Sequence, residues 1–138
     1  PSMLCVEDYL DALAWADEIG GLPALIKRSQ ANLGVIEDWV GKTDWVDFLA
    51  ETGETRSCTS VCLKIVDEWF LGLGEDEQAK AAKKIASLLE EKDIAYDIGG
   101  YRDAPPGLRI WCGATVEQSD LEALTPWLDW AFEEVKGA

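Results

Sequence analysis

Apolar residues recur at helical spacing over residues 6–19, at Val6, Leu10, Leu13 and Ala16, while Glu7, Asp8 and Asp11 load the first turns. That period gathers the apolar groups on one stripe and sets the carboxylates near the positive end of the helix. Gly20 and Gly21 predict the stop, since glycine enters left-handed backbone without a Cβ penalty. A second helix is expected from residue 22 to about residue 40. Pro23 lies in its first turn, and its stripe is Leu22, Leu25, Ile26, Leu33, Ile36 and Val40. The pattern then changes to a period of two. Residues 44–49 alternate in part and read as a short strand, and residues 60–66, rich in β-branched side chains, give the clearest strand.

Residues 67–75 read as a loop carrying Trp69 and Phe70, followed by a helix over about 76–92 with Ala82, Ile85, Ala86 and Leu89 inward. Residues 94–98 are expected to form a strand. Residues 99–107 hold Gly99, Gly100, Pro105, Pro106 and Gly107 and break the pattern, and residues 108–112 form the next strand. A last helix is expected after Ser119, an N-cap paired with Glu122 in a capping box, with the stripe Leu121, Leu124, Leu128, Phe132 and Val135. Pro126 falls about two turns in, where a kink or a 3₁₀ start is expected. The resulting order, α-α-β-β-α-β-β-α, predicts an α+β fold in which a mostly antiparallel sheet of about four strands packs with helices. Residues 1–138 read as a single domain, the usual size for one core. The opening Pro1-Ser2-Met3 reads as the start of a fragment cut from a longer chain.

Composition narrows the chemistry more than the fold. Twelve basic against 27 acidic residues give a net charge of -15, which argues against a nucleic-acid ligand or an anionic membrane surface. The chain has no histidine, so Ser-His-Asp and Cys-His pairs and His-containing zinc sites are excluded. No apolar run approaches the ~20 residues that span a bilayer. Cys5, Cys58, Cys62 and Cys112 form no CxxC pair. Cys58 and Cys62 share one face of an extended run about 13 Å apart, too far for a disulfide. Scattered thiols of this kind suit a reducing cytoplasm and are expected to act as small buried hydrophobes.

The cations are few: the arginines are Arg28, Arg56, Arg102 and Arg109. Two of them fall in the Gly/Pro-rich loop and strand of residues 99–113, where a guanidinium can grip a carboxylate or phosphate bidentately. Arg109 is the better candidate, because a strand is a rigid platform. The plainer reading pairs Arg102 with Asp103 or Asp97 on the surface and leaves Arg109 facing solvent. The hydroxyl-rich run from Thr55 to Ser60 offers donors to an anion, or simply satisfies its own backbone. Trp39, Trp127 and Trp130 are expected to pack in the core or against a further domain. No surroundings of Lys64, or of the Lys80, Lys83 and Lys84 group, announce the dry pocket that a Schiff-base lysine needs.

Several segments carry a resemblance to a known family. They are residues 1–13, Thr55-Arg56-Ser57 with residues 59–63, residues 95–98, the run from Tyr101 to Ala114, and residues 120–130. Together they resemble the C-terminal part of the phosphoserine aminotransferases, class V enzymes of fold type I, in their alphaproteobacterial form. The resemblance implies a pyridoxal 5'-phosphate enzyme, working as a cytoplasmic homodimer. It would exchange an amino group between L-glutamate (giving 2-oxoglutarate) and 3-phosphohydroxypyruvate (giving phosphoserine), on the route to serine and in some members to pyridoxine. It implies that Arg109 binds the substrate α-carboxylate and that Arg102, with Tyr101, stands where a basic pair grips the substrate phosphate across the dimer. Many members have His-Arg at that point, and the spacing from Arg102 to Arg109 is one residue longer here. The Schiff-base lysine and the cofactor cradle are implied to lie upstream of Pro1. This chain would then supply no catalytic, cofactor or metal residue, bind no cofactor by itself and be inactive alone. The alternative is a non-enzymatic α+β module that binds an anionic metabolite or dimerises.

Overall fold

Two glycines at the end of the first helix, Gly20 and Gly21, take φ values of 113° and 69° and reverse the chain direction between α1 (Met3–Glu18) and α2 (Gly21–Val40). The structure, a computed structural model, describes residues 2–138. After the helical pair come β1 (Val46–Phe48), a 3₁₀ turn at Gly53–Thr55, β2 (Ser60–Ile65), α3 (Glu68–Leu71), α4 (Glu75–Glu91), β3 (Gly107–Trp111) and α5 (Gln118–Lys136). The three strands form one antiparallel sheet in the order β1-β2-β3, with β2 central.

Alternation along the strands gives the sheet two unlike faces. Val46, Phe48, Val61, Leu63, Ile65, Leu108 and Ile110 are buried on the face that meets the helices. Against them pack Ile36 and Trp39 of α2, Ala82, Ile85 and Leu89 of α4, and Leu128 and Phe132 of α5. The Trp45 ring stacks on Phe132 with 4.3 Å between centroids, and the Trp39 and Trp45 indoles both donate to the Asp129 carboxylate. The opposite face carries Asp47, Ser60, Cys62, Lys64, Arg109 and Trp111, none of them buried.

The α+β architecture, the antiparallel sheet and most elements agree with the sequence pattern; four details differ. Residues 94–98 form no strand, so the sheet has three strands rather than about four. Asp93 and Asp97 sit at φ 57° and 54°, which breaks the extended run, and only an isolated bridge from Gly99 to Leu108 reaches β3. The expected loop after β2 contains the short helix α3, capped where the Asp67 carboxylate accepts from Trp69 N. The Ser119 capping box is absent: α5 starts at Gln118, two residues earlier than a Ser119 cap would set it, so Ser119 lies inside its first turn. Pro126 sits within a continuous α-helix. Its missing N–H would have bonded the Glu122 carbonyl, and the Thr125 hydroxyl donates to that oxygen instead at 3.3 Å.

The thiols also depart from expectation, since only Cys112 is buried. Cys58 precedes β2 rather than lying in it, Cys62 belongs to the polar sheet face, and Cys5 is on α1, where no residue is buried. Among the tryptophans, Trp39 is buried, Trp130 half-buried and Trp127 exposed. Met3, Leu4, Val6, Tyr9, Leu10 and Leu13 all remain exposed, because α1 packs mainly against α2. Burial pushes the Cys112 thiol up to about 12, with Cys58 a lesser cause, so it is neither nucleophile nor ready oxidation target. Alkylation at pH 8 is therefore expected to modify Cys5 in the folded protein and Cys112 only after denaturation. Mass spectrometry of a time course checks this, and early label on Cys112 would contradict its burial.

Candidate functional site

Arg109 stands in the middle of β3, opposite Cys62 of β2, on the polar face of the sheet. Strand alternation puts it there: Leu108 and Ile110 on either side turn into the core, so the residue between them must point out. Its side chain is 20% exposed, screened by neighbours rather than free in water. The Nη2 group donates to Asp97 Oδ2 at 2.8 Å and to the Asp97 carbonyl at 3.2 Å. The hydrogen bond to the Asp97 carboxylate, more than any other contact, raises the guanidinium pKa further. The Tyr101 ring lies 4.8 Å from Arg109 Cζ, and the Tyr101 hydroxyl is 3.1 Å from Ser60 Oγ on β2. Arg109 Nε is buried and has no hydrogen-bond partner. A cation held at one corner, backed by an aromatic ring and with a donor to spare, can receive an anionic oxygen.

The strand that carries Arg109 is fixed at both ends. At its start, a Cβ on Gly107 would meet the Leu63 carbonyl oxygen at 2.1 Å, so only glycine allows β3 this close to β2. Beyond its end, Asn32 of α2 donates through Nδ2 to the carbonyls of Cys112, Gly113 and Val116 at 3.3, 3.2 and 3.0 Å. Arg28 adds hydrogen bonds to the Ala114 carbonyl at 2.7 Å and to Glu117 Oε1 at 2.6 Å.

The other candidates divide. Tyr101 is brought to Arg109, but Arg102 is not: its side chain is 93% exposed, and its ion partner is Asp103 at 3.6 Å. Arg102 also lines a groove of about 380 Å³ between α4 and the loop, together with Lys83 and Ser87. Arg56 binds Glu37 and lies 3.5 Å over the Phe48 ring, which ties the loop before β2 to α2. The hydroxyl-rich run serves its own backbone, with Ser57 Oγ accepting from Thr59 N and Ser60 N. A larger groove, about 660 Å³, runs between α2 and α5 and is lined by Glu37, Asp38, Glu122 and Asp129 with Lys42. Its acidic lining suits no anion. Sequence reasoning missed Asp97 as the partner of Arg109; the signal was a short polar residue just before Gly99-Gly100, a position that tolerates left-handed backbone.

A curated protein of Methanosarcina mazei named phosphoserine aminotransferase is 51% identical over 136 residues, which covers 99% of this chain and 34% of that protein. This chain is similar to part of a phosphoserine aminotransferase. The phosphoserine aminotransferase of Methanosarcina barkeri matches with the same identity and coverage. The chain thus spans about a third of the length of these relatives, in their C-terminal part. Both are archaeal, so the alphaproteobacterial affinity expected from the sequence finds no support in them. The fold is that of the corresponding part of solved phosphoserine aminotransferases. The enzyme from Bacillus circulans subsp. alkalophilus superposes with a TM-score of 0.68 at 16% identity, covering 88% of this chain and 30% of that one. A phosphoserine aminotransferase studied for radiation damage to its Schiff base gives 0.66 at 18% identity, with the same coverage. No protein-family model matches the chain.

The aminotransferase likeness implies pyridoxal phosphate, and the lysines of this chain do not fit it. All are exposed except Lys64, which is half-buried and paired with Asp47 at 3.4 Å. None offers the desolvated amine that an imine-forming lysine requires. Among the described residues there is also no cluster suited to a metal ion, and no helix long and apolar enough to cross a membrane.

Proposed function

We propose that this chain is the substrate-binding small domain of a phosphoserine aminotransferase, and that Arg109 receives the α-carboxylate of the substrate. The observation that carries the reading is the 51% identity to two phosphoserine aminotransferases over 99% of the chain. The reaction is exchange of an amino group between L-glutamate and 3-phosphohydroxypyruvate, giving 2-oxoglutarate and phosphoserine for serine synthesis. It takes place in the cytoplasm, in a homodimer. Pyridoxal phosphate serves as electron sink for the transfer. It is held by polypeptide outside these residues, and the chain alone has no activity.

The task left to these residues is recognition and orientation. Arg109 supplies a fork whose planar geometry matches a carboxylate, from a strand that cannot slide. Tyr101 covers the guanidinium and shields it from water, which strengthens its attraction for an anion. Arg102 reaches outward toward the substrate phosphate of the neighbouring subunit; its exposure, and that of its surface partner Asp103, leave it available. The exposed apolar face of α1 also suits a unit that packs against further polypeptide.

Exchanging Arg109 for lysine tests the assignment. One of two parallel hydrogen bonds is lost, so KM for glutamate and for 3-phosphohydroxypyruvate is expected to rise about tenfold in the complete enzyme. Steady-state kinetics at both substrates measure this. Values equal to wild type for both would remove Arg109 from the site.

A further inference from the structure

Arg109 already holds a carboxylate, that of Asp97, where the proposed function puts the carboxylate of the substrate. We propose that Asp97 is a positioning residue for Arg109: its carbonyl aims the guanidinium, and its carboxylate is a placeholder that a ligand carboxylate displaces. The proposal rests on the reading of Arg109 as the carboxylate binder and adds to it a residue that sets the affinity.

Three features of the geometry carry this. First, Asp97 meets the same nitrogen twice, through Oδ2 at 2.8 Å and through its main-chain oxygen at 3.2 Å. The next residue, Ile98, accepts from Arg109 N at 2.8 Å. The backbone at residues 97 and 98 is therefore stitched to both the main chain and the side chain of Arg109. Second, that backbone is held at φ 54°, a left-handed conformation that L residues other than glycine seldom adopt. Third, the two partners differ in freedom. The Arg109 side chain is 20% exposed and backed by Tyr101, whereas that of Asp97 is 88% exposed. A rotation about χ1 carries the carboxylate into water while the guanidinium stays.

The energetics favour exchange. An ion pair with one partner so exposed contributes little net attraction, because water and salt compete for the carboxylate. A ligand that reaches Arg109 displaces that weak contact at Nη2, while the buried Nε stays out of its reach. The Asp97 carbonyl keeps its hold on Nη2 throughout, so the arginine does not have to be reoriented. What remains is a charge effect: the Asp97 carboxylate lowers the affinity of Arg109 for any anion, and its neutralisation raises it.

Calorimetric titration of the complete polypeptide with 2-oxoglutarate tests the proposal, using wild type, Asp97→Asn and Arg109→Ala. Asparagine keeps an acceptor oxygen and removes the charge. Binding is expected to tighten about two- to fivefold in Asp97→Asn, and KM for glutamate to fall by the same factor with kcat unchanged. A residue that only supported the fold would not lower KM. Unchanged or weaker binding in Asp97→Asn, alongside loss of binding in Arg109→Ala, overturns the placeholder and leaves Arg109 as the carboxylate binder. Unchanged binding in Arg109→Ala overturns that reading and the proposal with it.

Discussion

Replacement of Asn32 by alanine is expected to destabilise the protein by about 2–4 kcal/mol. Asn32 is 2% exposed and is one of only two buried polar residues among those described. Its amide nitrogen donates toward three carbonyl oxygens in the turn after β3. Two hydrogens serve three acceptors, so the contacts are shared and no one of them is strong. Removing the amide strips the nearby buried carbonyls of that donor, and each unsatisfied acceptor costs about 1–3 kcal/mol. Thermal unfolding should report a melting temperature lower by roughly 10 °C. Leucine, similar in volume, should do no better, because it restores packing and no hydrogen bond. A melting temperature for Asn32→Ala within a degree of wild type would show that the turn is held by Arg28 alone.

Gly107→Ala is the second large effect. The added methyl would sit 2.1 Å from the Leu63 carbonyl oxygen, a backbone atom of the central strand that cannot rotate away. The start of β3 must move from β2, weakening the pairs from Lys64↔Gly107 to Cys62↔Arg109. Overpacking of this kind costs about 3 kcal/mol, more than the stiffer unfolded chain of the alanine variant recovers. Unlike the change at Asn32, this one also displaces Arg109, two residues along the same strand. Carboxylate binding should therefore fall together with stability. An unchanged denaturation midpoint would mean that β3 sits farther from β2 than the structure places it.

Most of the fold could be read from the sequence, because hydrophobic periodicity is a local property. The stripe of α4, the alternation of β2 and the glycine stop after α1 depend on residues close together in the chain. The misreadings share a different cause. Residues 94–98 have strand-like composition, but Asp93 and Asp97 adopt left-handed backbone, and composition does not show that. For α5, Ser119 and Glu122 match a capping motif, yet the helix begins two residues before that motif allows. The site was half visible. Arg109 stood out by residue type and strand position, and the family resemblance pointed to it as well. Asn32 and Gly107 did not stand out: their roles arise from carbonyls some 80 and 44 positions away, across a helix–turn contact and a strand pair. Arg102 carried the same chemical signal as Arg109, but it lies in an irregular loop, and the fold does not bring the two together.

The two faces of the sheet bear on how such a protein can change over time. Leu108 and Ile110 of β3 are committed to the core, while Arg109 and Trp111 between and beyond them have no part in it. Substitutions at Ser60, Cys62 or Trp111 therefore alter what surrounds the guanidinium while the packing that holds the strand in register stays the same. Stability and ligand preference are thus encoded at alternate positions of the same segments, so selection can act on one with little penalty in the other. A scaffold with that separation can acquire new anionic ligands by single steps, each intermediate remaining folded.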